Sequence, residues 1–332
     1  MMMAYQCHLK PDDLQTHVKN IFGTNYMVEN ILSIQGGAQK AVYKINCTNH
    51  FSFVLYVWDQ AINYFQQERE EEQQRLEPYC GSRLFAQNYN FLHQLNVRIP
   101  TVYYLNQDKL QYPFDFAFVE YVDGQPSDAY FQANHDVQHK IFTKANDMLA
   151  AIHSNQSSTY GKLDELGKNN EPCHLSIMKN AHKQLSFAAQ YVNDISEQQA
   201  QLLDTIHELE SRMKPRQTYH FIHGELGPNH IVINKLLEPC FIDIDGAMFF
   251  DLEYEHSFMA FRFDEQYCYF RNDALDRNRM LFYKLHHHIS YTAGGLKLLQ
   301  RNFPDRQLAE SIVLFNSKCV LEFLGGTEHM TF

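Results

Sequence analysis

No run of about 18 consecutive apolar residues occurs in the chain, which argues against a membrane-spanning helix and for a protein without a membrane partner. The opening residues, MMMAYQCHLK, lack a charged segment followed by an apolar core, so no export signal is expected. Cysteine is scattered and odd in number, with seven residues at 7, 47, 80, 173, 240, 268 and 319 and no Cys-x-x-Cys pair. Nothing in that spacing suggests a disulfide framework, and a reducing cytoplasm is the expected location. Basic residues are in deficit: 28 stand against 39 acids, giving a net charge of −11 with no basic block. Nucleic acid is therefore disfavoured as a partner, and a cationic or neutral substrate is easier to accommodate than a polyanion. No internal repeat and no low-complexity tail is evident.

What remains is an ordinary globular composition, 45% hydrophobic and 20% charged. At 332 residues the chain is long for one hydrophobic core, so two lobes are expected. The most informative stretch is 219–255, YHFIHGELGPNHIVINKLLEPCFIDIDGAMFFDLEYE. It reads as an apolar strand (219–222), a polar turn (223–230), a short strand (231–234) and a second strand (240–244) that runs into two aspartates. Flanking strands hold such a loop rigid while the loop supplies reacting groups. Glu225 is a candidate proton acceptor. Asp243 and Asp245, spaced i, i+2, would share one face of an extended strand and are candidate ligands for a hard cation.

This constellation resembles the aminoglycoside phosphotransferase family, the small-molecule and antibiotic kinases that share the protein-kinase-like fold. Members carry a His-Gly-Asp-x-x-x-x-Asn loop, followed by a strand that ends on a metal-binding aspartate. Here the loop reads HGELGPNH and the strand FIDID. His223 and Gly224 match the opening of the loop, Glu225 stands at the catalytic aspartate, His230 at the magnesium-binding asparagine and Asp243 at the metal aspartate. Asp251 and Glu255 match the acidic pair that follows. The resemblance implies an α+β, two-lobed fold, with an N-terminal antiparallel sheet and helix over residues 1–122 and a mainly helical catalytic and substrate-binding lobe over 123–332. It implies transfer of the γ-phosphate of ATP or GTP to a small-molecule hydroxyl, with Mg2+. Aminoglycosides, macrolides, choline-like alcohols and sugars are all acceptors the fold would allow.

Two departures bear on mechanism. Glutamate at 225 keeps the acid but is longer by one methylene. Histidine at 230 offers nitrogen where magnesium favours oxygen, so His230 either holds a metal-bound water or phosphate oxygen, or serves only as a hydrogen-bonding neighbour.

Upstream, residues 11–22 read as a helix, with proline first, acids in the first turn and Leu14, Val18 and Phe22 at helical spacing. ILSIQGGAQKAVYKINC then reads strand, glycine turn, strand. Gly36 and Gly37 would let backbone approach a phosphate and Val42 would cover the base, although a Gly-Gly pair by itself also makes a plain hairpin. The third strand, 51–58, carries Tyr56 where the fold usually keeps a phosphate-gripping lysine or arginine. Lys40 and Lys44, alternating with Val42, are the replacement candidates. Lys40 also stands where with-no-lysine protein kinases place theirs, and the bland alternative for both lysines is a solvated edge strand. Helix 83–95 brings Gln87 or Asn88 near the position of the glutamate that would pair with the absent lysine.

Residues 60–80 read as a polar insertion. Strands are expected at 99–105 and 116–122, and backbone of Glu120 to Val122 would meet the base edge. Further helices are expected at 136–153, 196–213, 279–300 and 306–324. The consecutive His286, His287 and His288 cannot converge on one metal from a helix and point to a partly exposed structural role. A nucleotide-binding or interaction module without transfer activity, a pseudokinase, is the alternative function; Tyr56 and His230 favour it, while Glu225 and Asp243 oppose it.

Overall fold

The computed structural model describes residues 7–34, 38–65, 81–168 and 171–326. They form two compact units, one comprising residues 1–87 and 99–123, the other 88–98 and 124–332. Gly36, Gly37 and most of the polar insertion (66–80) lie outside the described residues.

The first unit opens with helix α1 (Pro11–Phe22), which starts at its proline, carries Asp12 and Asp13 in the first turn and stops at Gly23, where φ is 108°. Its buried stripe, Leu14 and Val18, lies on one face of a five-stranded antiparallel sheet. The sheet comprises β1 (Val28–Ile34), β2 (Ala41–Cys47), β3 (Phe51–Trp58), β4 (Val102–Asn106) and β5 (Asp115–Glu120), in the order β1-β2-β3-β5-β4. Alternation sorts the side chains. Tyr43, Ile45, Cys47, Phe53, Leu55, Val57, Phe116 and Phe118 enter the α1 core, with Phe53 stacked on Phe118 at 4.7 Å. Val42, Lys44, Val54 and Tyr56 therefore take the opposite face, and there Tyr56 and Trp58 meet Phe85 edge-on or tilted. Helix α2 (Gly81–Gln94) supplies Phe85, and the division between the units falls inside this helix.

In the second unit, β6 (Gly124–Pro126), β9 (Ile231–Asn234) and β10 (Pro239–Phe241) form one small sheet. A second is made from β7 (Gln156–Ser157), β8 (Tyr219–Ile222) and β11 (Met248–Phe250). Helices α3 (His135–His153), α4 (Cys173–Ala188), α5 (Asn193–Glu197), α6 (Gln199–Ser211), α7 (Leu252–Phe263), α8 (Arg277–Gln300) and α9 (Arg306–Glu322) make up the rest. The expected helix 196–213 is two helices, broken at Gln198. Helices α4 and α7 were not anticipated: α7 buries most of its circumference, including Glu253, Glu255 and His256, so no clean amphipathic stripe marks it. The three consecutive histidines are buried, not partly exposed, because each finds its own partner: His286 on Asn180, His287 on the Tyr254 carbonyl and His288 on Asn316. No helix among the described residues is long and apolar enough to cross a membrane.

An ion network pins α8 to the start of α7. Asp251, fully buried, accepts from the Arg279 guanidinium and from the Tyr283 hydroxyl at 2.5 Å, while Arg216 grips Glu253 through two bonds of 2.7 and 2.8 Å. Removing one partner strands a buried charge, so Arg279→Met should cost about 3–5 kcal/mol in a urea unfolding titration. A loss below 1 kcal/mol would show that Asp251 is satisfied without the guanidinium.

Candidate active site

Strand β8 delivers the loop 223–230. Gly224 has φ +90°, and a Cβ there would stand 2.5 Å from the Gly246 carbonyl oxygen, so both the backbone angle and the close approach demand glycine. Its N–H donates to Glu255 Oε1 at 2.8 Å, and the other Glu255 oxygen takes the His153 Nε2 at 2.6 Å. Burial alone would raise the Glu255 carboxyl. The hydrogen bond and charge of His153, the nearby His223 and the Gly224 N–H together hold it below the ordinary carboxylate value, which keeps it an acceptor. Glu255 thus fixes the backbone from which Glu225 projects, and Glu225 itself is exposed. His223 is buried and its Nε2 donates to the Ile242 carbonyl at 2.9 Å. Burial lowers its pKa, so the neutral ring joins the loop to the segment that leads into Asp243.

The extended strand expected through residue 244 stops at Phe241. Asp243 sits in the left-handed region (φ 60°, ψ 50°), at a cost of roughly 1–3 kcal/mol, and residues Ile244–Gly246 form a 3-10 turn. Asp243 and Asp245 therefore do not lie on one strand face, because the helical turn replaces the two-residue repeat. His230 Nδ1 donates to the Glu225 carbonyl at 2.7 Å, which turns its Nε2 towards Asp243 Oδ2, 3.4 Å away. Among the described residues no three His, Cys, Asp or Glu side chains gather as a metal cage. Magnesium does not require one: it keeps several waters and takes one or two carboxylates plus substrate phosphates. The Asp243 side chain is 39% exposed, and the His230 imidazole stands beside it.

On α7 and α8 lie residues that the sequence reading missed. Arg262 Nη2 donates to Asn229 Oδ1 at 2.7 Å, and its guanidinium lies 3.1 Å from where a Cβ on Gly227 would be. Tyr254 and Tyr291 have hydroxyls raised by burial and by the charge of Glu225, with Tyr291 also bonded to Arg262. The lone arginine in the apolar segment SFMAFRF was the available signal.

In the first unit, Lys40 immediately precedes β2 and is 8% exposed, with Nζ 4.8 Å from the centre of the Tyr56 ring. Val42 faces Tyr56 in register. Lys44 turns elsewhere, its Nζ 3.6 Å from the centre of Tyr121. Glu120 closes β5, where its N–H donates to the Thr101 carbonyl at 2.8 Å and its carboxylate accepts from the Thr101 N–H at 3.0 Å. Its N–H is thus committed within the sheet. Val122 lies past the strand end and is partly exposed.

A family model described as the phosphotransferase enzyme family matches residues 32–279. No curated protein sequence matches the chain. Among solved structures, spectinomycin phosphotransferase APH(9)-Ia, in complex with ADP and spectinomycin, superposes with a TM-score of 0.65 at 14% identity, over 98% of this chain and 100% of that one. A thermostable mutant of aminoglycoside phosphotransferase APH(4)-Ia in its apo form gives 0.64 at 15% identity, over 94% and 100%. A GDP complex of a mutant aminoglycoside 2′-phosphotransferase IIIa gives 0.62 at 14%, over 95% and 99%. An N-terminal antiparallel sheet followed by a mainly helical unit is the protein-kinase-like fold those structures share. With the family model spanning most of its length, the chain belongs to the phosphotransferase enzyme family and is a phosphotransferase with a hydroxyl acceptor.

Proposed function

We propose that this protein is a cytoplasmic small-molecule kinase that transfers the γ-phosphate of ATP or GTP to a hydroxyl of a substrate such as an antibiotic. The observation that carries the reading is the placement of Glu225: an exposed carboxylate on a loop whose backbone is locked by Gly224 and Glu255, with His230 linking that loop to Asp243. Glu225 would orient the acceptor hydroxyl and take its proton. His223 would hold the loop. Asp243 would hold magnesium, with Asp245 beside it in the same turn and His230 acting through water; the bound ion would offset phosphate charge. Residues 1–122 would bind nucleotide through the Gly36-Gly37 turn, Lys40 or Lys44, Val42 and the backbone of Glu120 to Val122. Residues 123–332 would carry the chemistry and the acceptor.

Support for a nucleotide donor comes from the family match and from relatives solved with ADP or GDP. Two of the similar structures are phosphotransferases for aminoglycosides and spectinomycin, which motivates beginning with antibiotics. The test is thermal unfolding with ATP and with GTP, each with and without magnesium, followed by a screen of hydroxylated compounds for stimulated ADP or GDP release. A metal-dependent nucleotide shift and at least one stimulating acceptor are expected. Nucleotide binding that ignores magnesium and no stimulated release would favour the pseudokinase.

A further inference from the structure

Helix α2 reaches the turn that follows Asp243 through the Asn88 side chain. Asn88 is fully buried, and its Nδ2 donates to the Ile244 carbonyl at 2.8 Å, with a second, longer approach to the Asp245 carbonyl at 3.5 Å. Those carbonyls belong to the 3-10 turn that begins at Asp243, and Asn88 and this turn lie in the same compact unit. Other contacts also hold the segment: the His223 ring on the Ile242 carbonyl, the Ile242 N–H on the His230 carbonyl at 2.9 Å, the Ala247 N–H on the Ile244 carbonyl at 3.2 Å, and the Gly224 backbone packed against Gly246. Asn88 supplies the side-chain hold on the carbonyls of residues 244 and 245 themselves.

We infer that Asn88 is a positioning residue, a neutral amide clamp that fixes the turn carrying Asp243 and Asp245. This rests on the kinase reading only for its consequence, not for its geometry. Asp243 is held in a left-handed conformation that costs free energy, so the turn has a reason to relax if nothing opposes it. A carboxylate at position 88 could not do this work, because ionised carboxylates accept and both facing groups are carbonyls. An amide does it without charge, so the clamp should be insensitive to ionic strength, unlike an ion pair.

The test uses Asn88→Leu, close in shape but without the donor, and Asn88→Asp, close in shape with an acceptor facing acceptors. In the nucleotide-free, metal-free protein, amide hydrogen exchange over residues 244–247 should speed at least tenfold in both variants, with the loop at 223–225 changing less. In nucleotide binding, magnesium half-saturation should rise about tenfold, while affinity measured without magnesium stays within twofold. Asn88→Gln, which keeps the amide, should recover part of both effects. Unchanged exchange over 244–247 in a folded Asn88→Leu variant would overturn the clamp. So would an Asn88→Asp variant with unaltered exchange, and so would general acceleration across the unit, which would make Asn88 an ordinary core residue. If the unaltered protein shows no magnesium-dependent nucleotide binding, the functional proposal falls, while the exchange experiment still decides the clamp.

Discussion

Glu225→Gln should lower turnover by roughly two to four orders of magnitude while leaving nucleotide affinity and melting temperature nearly unchanged. The magnitude follows from what the amide cannot do. Glutamine matches the length and hydrogen-bonding reach of glutamate but cannot accept the proton that a hydroxyl releases as it attacks phosphorus. The fold should survive because the side chain is exposed and glutamine keeps its length and most of its hydrogen-bonding reach. The Glu225 carbonyl, not its carboxylate, accepts from His230, and Gly224 is fixed by Glu255. Glu225→Asp is the informative companion, since it restores the residue type usual in the family and keeps the acid while withdrawing it by one methylene. It should retain more turnover than the glutamine variant. Steady-state ADP or GDP release with any accepted substrate checks both. Equal turnover in Glu225→Gln and the unaltered protein would remove this residue from the chemistry.

Much of the fold was legible because it rests on local patterns. Helix 11–22 and strands 51–58, 219–222 and 231–234 follow from capping residues and from alternation that one-sided burial enforces, and the structure places them at those bounds. The loop 223–230 was legible because a tight turn between strands needs its glycine and displays its polar residues. What stayed hidden depends on contacts distant in sequence. The break of the strand at Phe241 comes from the 3-10 turn, which is held by Asn88 from more than a hundred residues away. Helix α7 lacks a stripe because it buries acids that His153 on α3, Arg216 and the Gly224 N–H satisfy. The histidines at 286–288 look surface-compatible in composition, and only their separate partners explain their burial. Alternation left Lys40 and Lys44 equivalent and only the resemblance to with-no-lysine kinases singled out Lys40; packing gives them different surroundings, Tyr56 for one and Tyr121 for the other.

That distinction yields the sharpest result expected of the first unit. Lys40→Met should raise the nucleotide Michaelis constant and lower turnover, together reducing kcat/KM by about ten- to a hundredfold, whereas Lys44→Met should stay within about threefold. A triphosphate brings several negative charges, and magnesium alone leaves part of them unbalanced, so a nearby ammonium is required. Tyr56 cannot supply it, because a phenol is neutral at physiological pH. What Tyr56 does supply is a ring face: the Lys40 ammonium lies 4.8 Å from its centre. A cation from the start of β2 is thereby held over the position on β3 where the fold usually keeps one. Lys44 is instead engaged by Tyr121, 3.6 Å from its ring centre, at the far end of β5. In Lys40→Met, adding Tyr56→Lys should recover part of the lost kcat/KM by returning charge to β3. Recovery should be incomplete, because Tyr56 also packs edge-on against Trp58 and Phe85. In the unaltered background the same Tyr56→Lys change should not help, since it sets two ammoniums against each other. Nucleotide titrations and initial rates on the four variants settle the order, and a larger loss in Lys44→Met than in Lys40→Met would move the phosphates away from Tyr56 and towards Tyr121.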